Sequence, residues 1–516
     1  MVDVNASIPA VLRATAQSNP DAPAICFSDR KVTFAEVDQA SDAIAASLAE
    51  QGIEKGDRVA LYCINSDAFA MIYTGIIKAG AVVVPVNLLL NPKEISYILQ
   101  DAEVKGLFYH QAFMESVAVF RGEIESLSCC VSIGVEQGAD PRFEDFLQNQ
   151  AKPLQLEIDP VQDLAAILYT SGTTGHPKGA MLTHRNLLSN SCSVAEAMQL
   201  KPREDVILVV LPMFHSFAAT VGLLTPLLHG LSFAPVPRFD PAGISAVIGA
   251  VGVTVFLGVP SMYNVLLRLS DEQLQQWSTV RFGVSGGAAM PVAVMRQFEE
   301  RFGIPIYEGD GPTECSPVTC VNPIGGLTKP ASVGLPVPNV EIEIFDDGGN
   351  QLPVTEIGEL CVRGPNVMKG YWNLPEATAE SFFGAWVRTG DLGYKDEDGY
   401  LFMVDRKKDM IIVNGMNVYP RMVEEVLYQH PQISEAAVVG EPNARHGEVP
   451  IAHVVLQEGA EISASAVRAY CLENLGRHQV PRKVVLRAAL PKNAAGKILK
   501  RELRREGELE RGVDIQ

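Results

Sequence analysis

Short, uninterrupted apolar runs alternate along the chain with longer stretches whose apolar positions recur at helical spacing. From Arg58 the pattern predicts a strand over 59–63, a helix over 68–78, a strand over 81–86, a helix over 93–100 and a strand over 106–109. Strands that are apolar on both faces and separated by helices pair in parallel through crossovers. A second series follows, with strands over 164–170, 206–211, 253–257 and 281–284 and a helix after Thr183. The alternation predicts an α/β lobe of two related sheets.

Near Ser332 the texture changes. Residues 340–345 alternate apolar and acidic side chains, and Asp346-Asp347-Gly348-Gly349 is a turn, which together predict a β subdomain over about 332–405. Beyond it, helices over 421–428 and 464–475 alternate with strands near 436–439, 452–456 and 483–486, the pattern of a small α+β unit. The expected fold is therefore α/β: a large N-terminal domain, 1–405, joined to a small mobile C-terminal domain, 406–516. The uncharged stretch 217–237 is long enough to raise a membrane span, but Thr220, Thr225, Pro226 and His229 interrupt it, which assigns it to the core.

Charge narrows the partners. The formal net charge is −19 over 516 residues, whereas nucleic acids and anionic bilayers attract broad positive surfaces. Nucleic acid is excluded as a general partner, peripheral membrane contact stays open, and any anion must be met by a local site. Nine cysteines are scattered without a CxxC or zinc-type spacing, which reads as the reduced thiols of a cytoplasmic protein. Residues 1–19 carry neither the basic leader nor the apolar run of a signal peptide. Monomer and homodimer are equally compatible with these letters.

The chemistry concentrates first where the strand over 164–170 runs into Thr170-Ser171-Gly172-Thr173-Thr174-Gly175-His176-Pro177-Lys178-Gly179. Glycines free backbone N–H groups to point inward, hydroxyls of Thr170, Ser171, Thr173 and Thr174 add donors, and Lys178 supplies charge, so the loop can wrap phosphate oxygens. The plainer reading is a flexible Ser/Thr/Gly loop. It is not the common phosphate loop, because Gly179 follows the lysine where Ser or Thr is required. A rival site lies at Gly283-Val284-Ser285-Gly286-Gly287, which fits G-x-S-x-G and would make Ser285 a hydrolase nucleophile. That rival leaves the hydroxyl-rich loop unexplained.

The loop resembles the signature of the adenylate-forming superfamily, which includes acyl-CoA synthetases, aryl-CoA ligases, luciferases and peptide-synthetase adenylation domains. The resemblance continues in order down the chain. It implies that Thr170, Ser171, Gly172, Thr173, Thr174 and Lys178 hold the β- and γ-phosphates of ATP. Leu211-Pro-Met-Phe-His-Ser216 looks like the segment that gates the carboxylate pocket, which makes His215 the expected gate. Asp is usual in this region where the substrate is an amino acid, and His215-Ser216 argues against one.

Gly287 and Ala288, in the segment after the strand over 281–284, are similar to residues that lie against adenine and the acyl pocket. Tyr307-Glu-Gly-Asp-Gly-Pro-Thr-Glu314 resembles a motif in which Thr313 contacts the adenylate phosphate and Glu314 helps hold magnesium, with Thr170 as a further metal contact. Glu308, Gly309 and Asp310 then fall on the nucleotide. Asp310 departs from the family, many of whose members place an aromatic there. Trp386-Val-Arg-Thr-Gly-Asp391 implies a ribose-binding Asp391, a task suited to the two oxygens of a carboxylate. The junction motif beginning Asp405-Arg406 implies a nucleotide contact for Arg406, a hinge at Lys408 and passage of the pantetheine arm at Gly415. Leu490-Pro-Lys-Asn-Ala-Ala-Gly-Lys497 implies that Lys497 is the adenylation lysine.

The resemblance implies a carboxylate–CoA ligase that uses ATP, magnesium and coenzyme A. Phe214, Phe217, Ala218 and Ala219 suggest an apolar tunnel. A medium- or long-chain fatty acid leads, with a benzoate- or cinnamate-like acid next. A non-catalytic binding protein is disfavoured, because Glu314, Asp391 and Lys497 are all present.

Overall fold

A computed structural model describes residues 2–135, 138–170, 177–443, 445–493 and 496–510. Three sheets organise them. In the first, the strands Cys129–Ile133, Val104–His110, Arg58–Tyr62, Val82–Pro85 and Leu164–Thr170 run in parallel in that spatial order, and Lys178–Thr183 and Gly370–Tyr371 add two antiparallel strands. The expected crossovers are present, as in the helices Asp67–Lys78 and Pro92–Asp101. The second of these starts where its sequence dictates. Asn91 caps it, Glu94 accepts from the Asn91 N–H, and Pro92 occupies the first turn.

The second sheet carries Pro23–Cys26, Ser232–Pro235, Val206–Val209, Val255–Gly258, Phe282–Ser285 and Ile306–Asp310 as parallel neighbours. It does not stop at the parallel strands. Cys320–Val321 pairs antiparallel with Ile306–Asp310, Ser332–Pro336 with Cys320–Val321, and Leu401–Arg406 with Ser332–Pro336. The β-rich region after residue 332 is thus hydrogen-bonded into one continuous 14-stranded sheet.

The helix Asp67–Lys78 packs on the helix Phe34–Glu50 and on the strands Arg58–Tyr62 and Val82–Pro85, and it is buried along its length apart from Asp67. Gly75 allows the approach, since a Cβ there would stand 2.7 Å from Ile44. Its last residue, Lys78, is buried and is held by Asp38 at 2.5 Å and Asp42 at 2.9 Å. A buried ammonium without such partners would be strongly destabilising. The segment 217–237 is core, as its composition predicts: Ala218–Leu224 is a buried π-helical stretch, and Ser232–Pro235 is an inner strand. No helix among the described residues is long and apolar enough to cross a membrane.

The third sheet contains Met416–Val418, Ile411–Val413, Gly447–Leu456 and Ile433–Asn443, with Lys483–Arg487 parallel to Gly447–Leu456. The helices Pro420–Tyr428 and Ala464–Asn474 accompany it. A terminal helix, Lys500–Glu510, is not evident from patterning. Leu503 is its fully buried apolar residue, and ion pairs Lys500–Glu424 and Arg504–Asp409 hold it. The architecture is a large N-terminal domain of sheets and a smaller C-terminal one.

His184 joins the start of the chain to this frame: its Nδ1 accepts from the Ile8 N–H at 3.3 Å. Burial pulls its imidazole down to about 4. The unfolded chain therefore takes up a proton that the folded one refuses, and stability falls as pH drops from about 6.5 to about 4. His184→Gln can keep an acceptor and removes the titration. The urea midpoint of this variant should lose less between pH 7 and pH 4 than that of the wild type, by on the order of 3 kcal/mol. Equal losses in both proteins would refute the assignment.

Candidate active site

The hydroxyl-rich loop springs from Leu164–Thr170 and returns through Lys178–Thr183, two antiparallel strands in which Thr170 stands opposite Lys178. Ser171, Gly172, Thr173 and Thr174 lie outside the described residues. The returning strand is fixed at its far end, where Thr183 caps the helix His184–Ala197 in a reciprocal pair with Asn186. Gly179 is obligatory, because a Cβ would come within 2.7 Å of Ile167. Lys178 Nζ stands over the Tyr371 ring, 5.1 Å from its centre.

Beside the returning strand Lys178–Thr183 lies the turn Thr313–Cys315. Its backbone is held from two sides: Asn366 donates to the Cys315 carbonyl at 2.8 Å, and the Met368 N–H donates to the Glu314 carbonyl at 2.8 Å. The Thr313 hydroxyl lies 3.1 Å from that of Ser216, and Tyr371 donates its phenol to Glu314 Oε1 at 2.8 Å. His215 precedes Ser216 in a segment anchored by the buried Asn65. That side chain donates to the Val209, Leu211 and Val236 carbonyls and accepts from the Met213 N–H. Burial, with Lys497 close by, lowers the His215 imidazole to about 4, so it is neutral at pH 7.

Asp391 and Arg406 sit directly opposite one another on adjacent strands, with Nε 2.8 Å from Oδ1. Burial and the nearby Asp310 and Glu314 raise the Asp391 carboxyl, while Arg406 and Lys497 oppose them. Lys497 reaches this cluster from the small domain. Its loop is closed by the Lys497 N–H donating to Asn493 Oδ1, and it docks where Ser261 donates to the Gly496 carbonyl at 3.1 Å. Burial, and after it Arg406, pulls the Lys497 ammonium down to about 8, against the pull of Asp391 and Asp310.

The other expected residues differ in burial and contacts. Glu308 turns away from the cleft into a buried contact, accepting from the Met290 N–H at 2.9 Å with Arg421 Nη2 at 3.7 Å. Burial raises its carboxyl to about 7. Gly309 passes so close to the neighbouring strand that a Cβ would stand 2.9 Å from the Cys320 carbonyl oxygen, and only glycine fits. Gly287 has positive φ and open space beside it, and Ala288 follows at the cleft rim. Ser285 is fully buried and donates to the Met290 sulfur. Among the described residues no imidazole is hydrogen-bonded to it, and a nucleophilic serine requires one. Lys408 lies in the exposed turn between Leu401–Arg406 of the large sheet and Ile411–Val413 of the small one. Gly415 sits in the exposed turn of the hairpin beyond.

Sequence reasoning missed Tyr371, Asn65, Asn366 and Arg421. Each acts through a contact distant in sequence, and none stands in a locally informative pattern. The Gly370-Tyr371 dipeptide was the one available signal, because Gly370 has a φ of 140° and a Cβ there would meet Thr378.

A cleft that gathers lysines, an arginine and carboxylates between a large and a small domain fits a nucleotide-handling enzyme. Residues 12–372 match the family model for AMP-binding enzymes, and residues 422–497 match the model for the AMP-binding enzyme C-terminal domain. The chain belongs to the AMP-binding enzyme family, as an adenylate-forming acid–thiol ligase. It is 36% identical over 530 residues to a long-chain-fatty-acid–CoA ligase of Bacillus subtilis (strain 168), covering 97% of this chain and 95% of the relative. A crystal structure of the anthranilate CoA ligase AuaEII in complex with anthranoyl-AMP superposes with a TM-score of 0.93 at 29% identity, over 99% of each chain. ATP-bound MatB from Rhodopseudomonas palustris gives 0.89 at 32% identity, over 97% of this chain and 99% of that one.

Proposed function

We propose that the enzyme joins a medium- or long-chain fatty acid to coenzyme A through an acyl-adenylate formed from ATP. The observation that carries this reading is the convergence of Lys497 on Asp391, Arg406 and Asp310, residues spread over almost 190 positions of sequence. The B. subtilis ligase supports the choice of acid. So does the wall of the cleft, where the Phe217 ring packs on Gly286, at 3.2 Å from where a Cβ would stand. Ala218 and Ala219 follow in the buried π-helical turn. The likeness to the anthranilate ligase keeps an aromatic acid as the second reading.

A carboxylate cannot expel oxide, so it is first joined to AMP. In this reading Lys178 and the hydroxyls of the loop hold the triphosphate, and Asp391 accepts from the ribose hydroxyls. Lys497, as an ammonium between carboxylate and α-phosphate, offsets the charge that builds during attack. Neutral His215 borders the acid's carboxylate without repelling or titrating it. Glu314 with Thr170 fits a magnesium ion arriving with ATP, since that ion takes hard oxygens and keeps one or two carboxylates plus phosphates. No group of three or more His, Cys, Asp or Glu that could hold a metal alone occurs among the described residues. Bound there, magnesium would neutralise part of the triphosphate charge.

Thiol attack then needs the place Lys497 fills, and the turn carrying Lys408 is where the small domain swings, with Gly415 brought to the pantetheine path. Lys408→Pro should leave pyrophosphate release intact and slow thioester formation from preformed adenylate. Thioester formation at the wild-type rate would remove the pivot.

Pyrophosphate release across a panel of carboxylic acids, with and without coenzyme A, tests the reaction itself. Fatty acids of eight or more carbons should be turned over with kcat/KM about 100-fold above acetate, by the methylene increments of an apolar pocket. A preference for benzoate or cinnamate would move the assignment to aryl acids, and no release with any acid would end it. The alkaline limb of kcat/KM for adenylation should fall near pH 8, as the Lys497 ammonium deprotonates. Lys497→Arg should keep residual activity and shift that limb upward; an unmoved limb would clear Lys497 of the role.

A further inference from the structure

Tyr371 occupies the space between two groups that must act together, the lysine of the phosphate loop and the carboxylate assigned to the metal. Its phenol donates to Glu314 Oε1 at 2.8 Å, and its ring lies 5.1 Å beneath Lys178 Nζ. Its placement is over-determined. Gly370–Tyr371 pairs antiparallel with Met181 and Ala180, the Lys369 and Trp372 N–H groups donate to the Met181 and Gly179 carbonyls, and the Tyr371 N–H donates to Thr378 Oγ1. The Met368 N–H holds the Glu314 carbonyl in the same stretch. One five-residue segment thus staples the returning strand of the phosphate loop to the turn that carries Glu314.

We infer that Tyr371 is the positioning residue of the metal–phosphate site: its hydroxyl orients Glu314 toward the cation, and its ring parks Lys178 at the phosphates. The inference rests on the nucleotide reading given above. A lone carboxylate beside a polyphosphate is repelled by it and free to rotate. A neutral donor on one oxygen fixes the rotamer and leaves the other oxygen for the cation, the way outer partners orient metal ligands generally. The ring face attracts the Lys178 ammonium by its quadrupole and releases it at small cost when phosphate arrives. The two halves of the side chain therefore have separable tasks.

Calorimetric titration with a non-hydrolysable ATP analogue, with and without Mg²⁺, and with AMP, separates them. Tyr371→Phe keeps the ring and removes the donor. The Mg²⁺-dependent gain in affinity for the analogue should shrink about 10-fold, while metal-free analogue and AMP affinities stay at wild-type values. Tyr371→Leu removes both and should also weaken the metal-free analogue several-fold. In a Glu314→Gln background, Tyr371→Phe should add nothing, because the partner it orients has lost its charge. AMP binding reports folding in every variant, a property that a merely structural tyrosine would lower along with the rest. A Tyr371→Phe enzyme with the full Mg²⁺ gain overturns the inference and leaves the nucleotide reading standing. A wild-type enzyme that binds neither the analogue nor AMP overturns both.

Discussion

One cross-strand register governs what the cleft can hold. Asp391 and Arg406 face each other on neighbouring strands of the large sheet, and the chain leaves Arg406 directly into the turn that begins the small domain. Asp391 is buried and Arg406 half-exposed, and a pair of this kind contributes little to stability, since desolvation and solvent screening offset much of its attraction. Its consequence is positional. The strand that presents the guanidinium is also the tether of the domain that brings Lys497. Just beyond, the Arg421 guanidinium donates to the Met403 carbonyl and the Arg421 N–H donates to Asp405 Oδ2, so the small domain's first helix is docked on the same strand.

The fold was legible wherever burial is two-sided. The strand expected over 164–170 is Leu164–Thr170, and the helix expected over 421–428 is Pro420–Tyr428. Continuous apolar runs and amphipathic periods report burial directly. The first helices, Ile8–Ser18 and Phe34–Glu50, do not stand out because alanine and serine dilute their apolar stripe. Lys500–Glu510 is hidden for the opposite reason, since charge pairs rather than an apolar face hold it. That the strands after residue 332 extend the large sheet could not be read, because register between Cys320–Val321 and Ser332–Pro336 depends on backbone pairing with no side-chain signature.

The candidate site divides in the same way. Residues expected to reach a nucleotide occur in short patterns rich in glycine and charge, and these patterns were visible. Residues that hold them in place were not. Tyr371 meets Glu314 across 57 positions and Asn65 meets Leu211 across 146, distances at which no local spacing carries information. Glu308 shows the converse, a carboxylate inside a recognisable motif whose side chain is turned into the domain interface toward Arg421.

The charges gathered in the cleft balance among themselves: Lys178, Arg406 and Lys497 stand against Asp310, Glu314 and Asp391, and His215 is held neutral. A triphosphate and a carboxylate substrate add only negative charge to that balance, in a protein whose net charge is already −19. Under the proposed reaction, the compensation must come from the cation carried by ATP and from Lys178, whose hold on an aromatic face is worth only about 0.5–1 kcal/mol. Asp310 belongs to the same balance. Its carboxylate is one of the groups that keep Lys497 protonated against burial and Arg406. An aromatic ring there would withdraw that support, so in this chain the position contributes to the charge of the lysine.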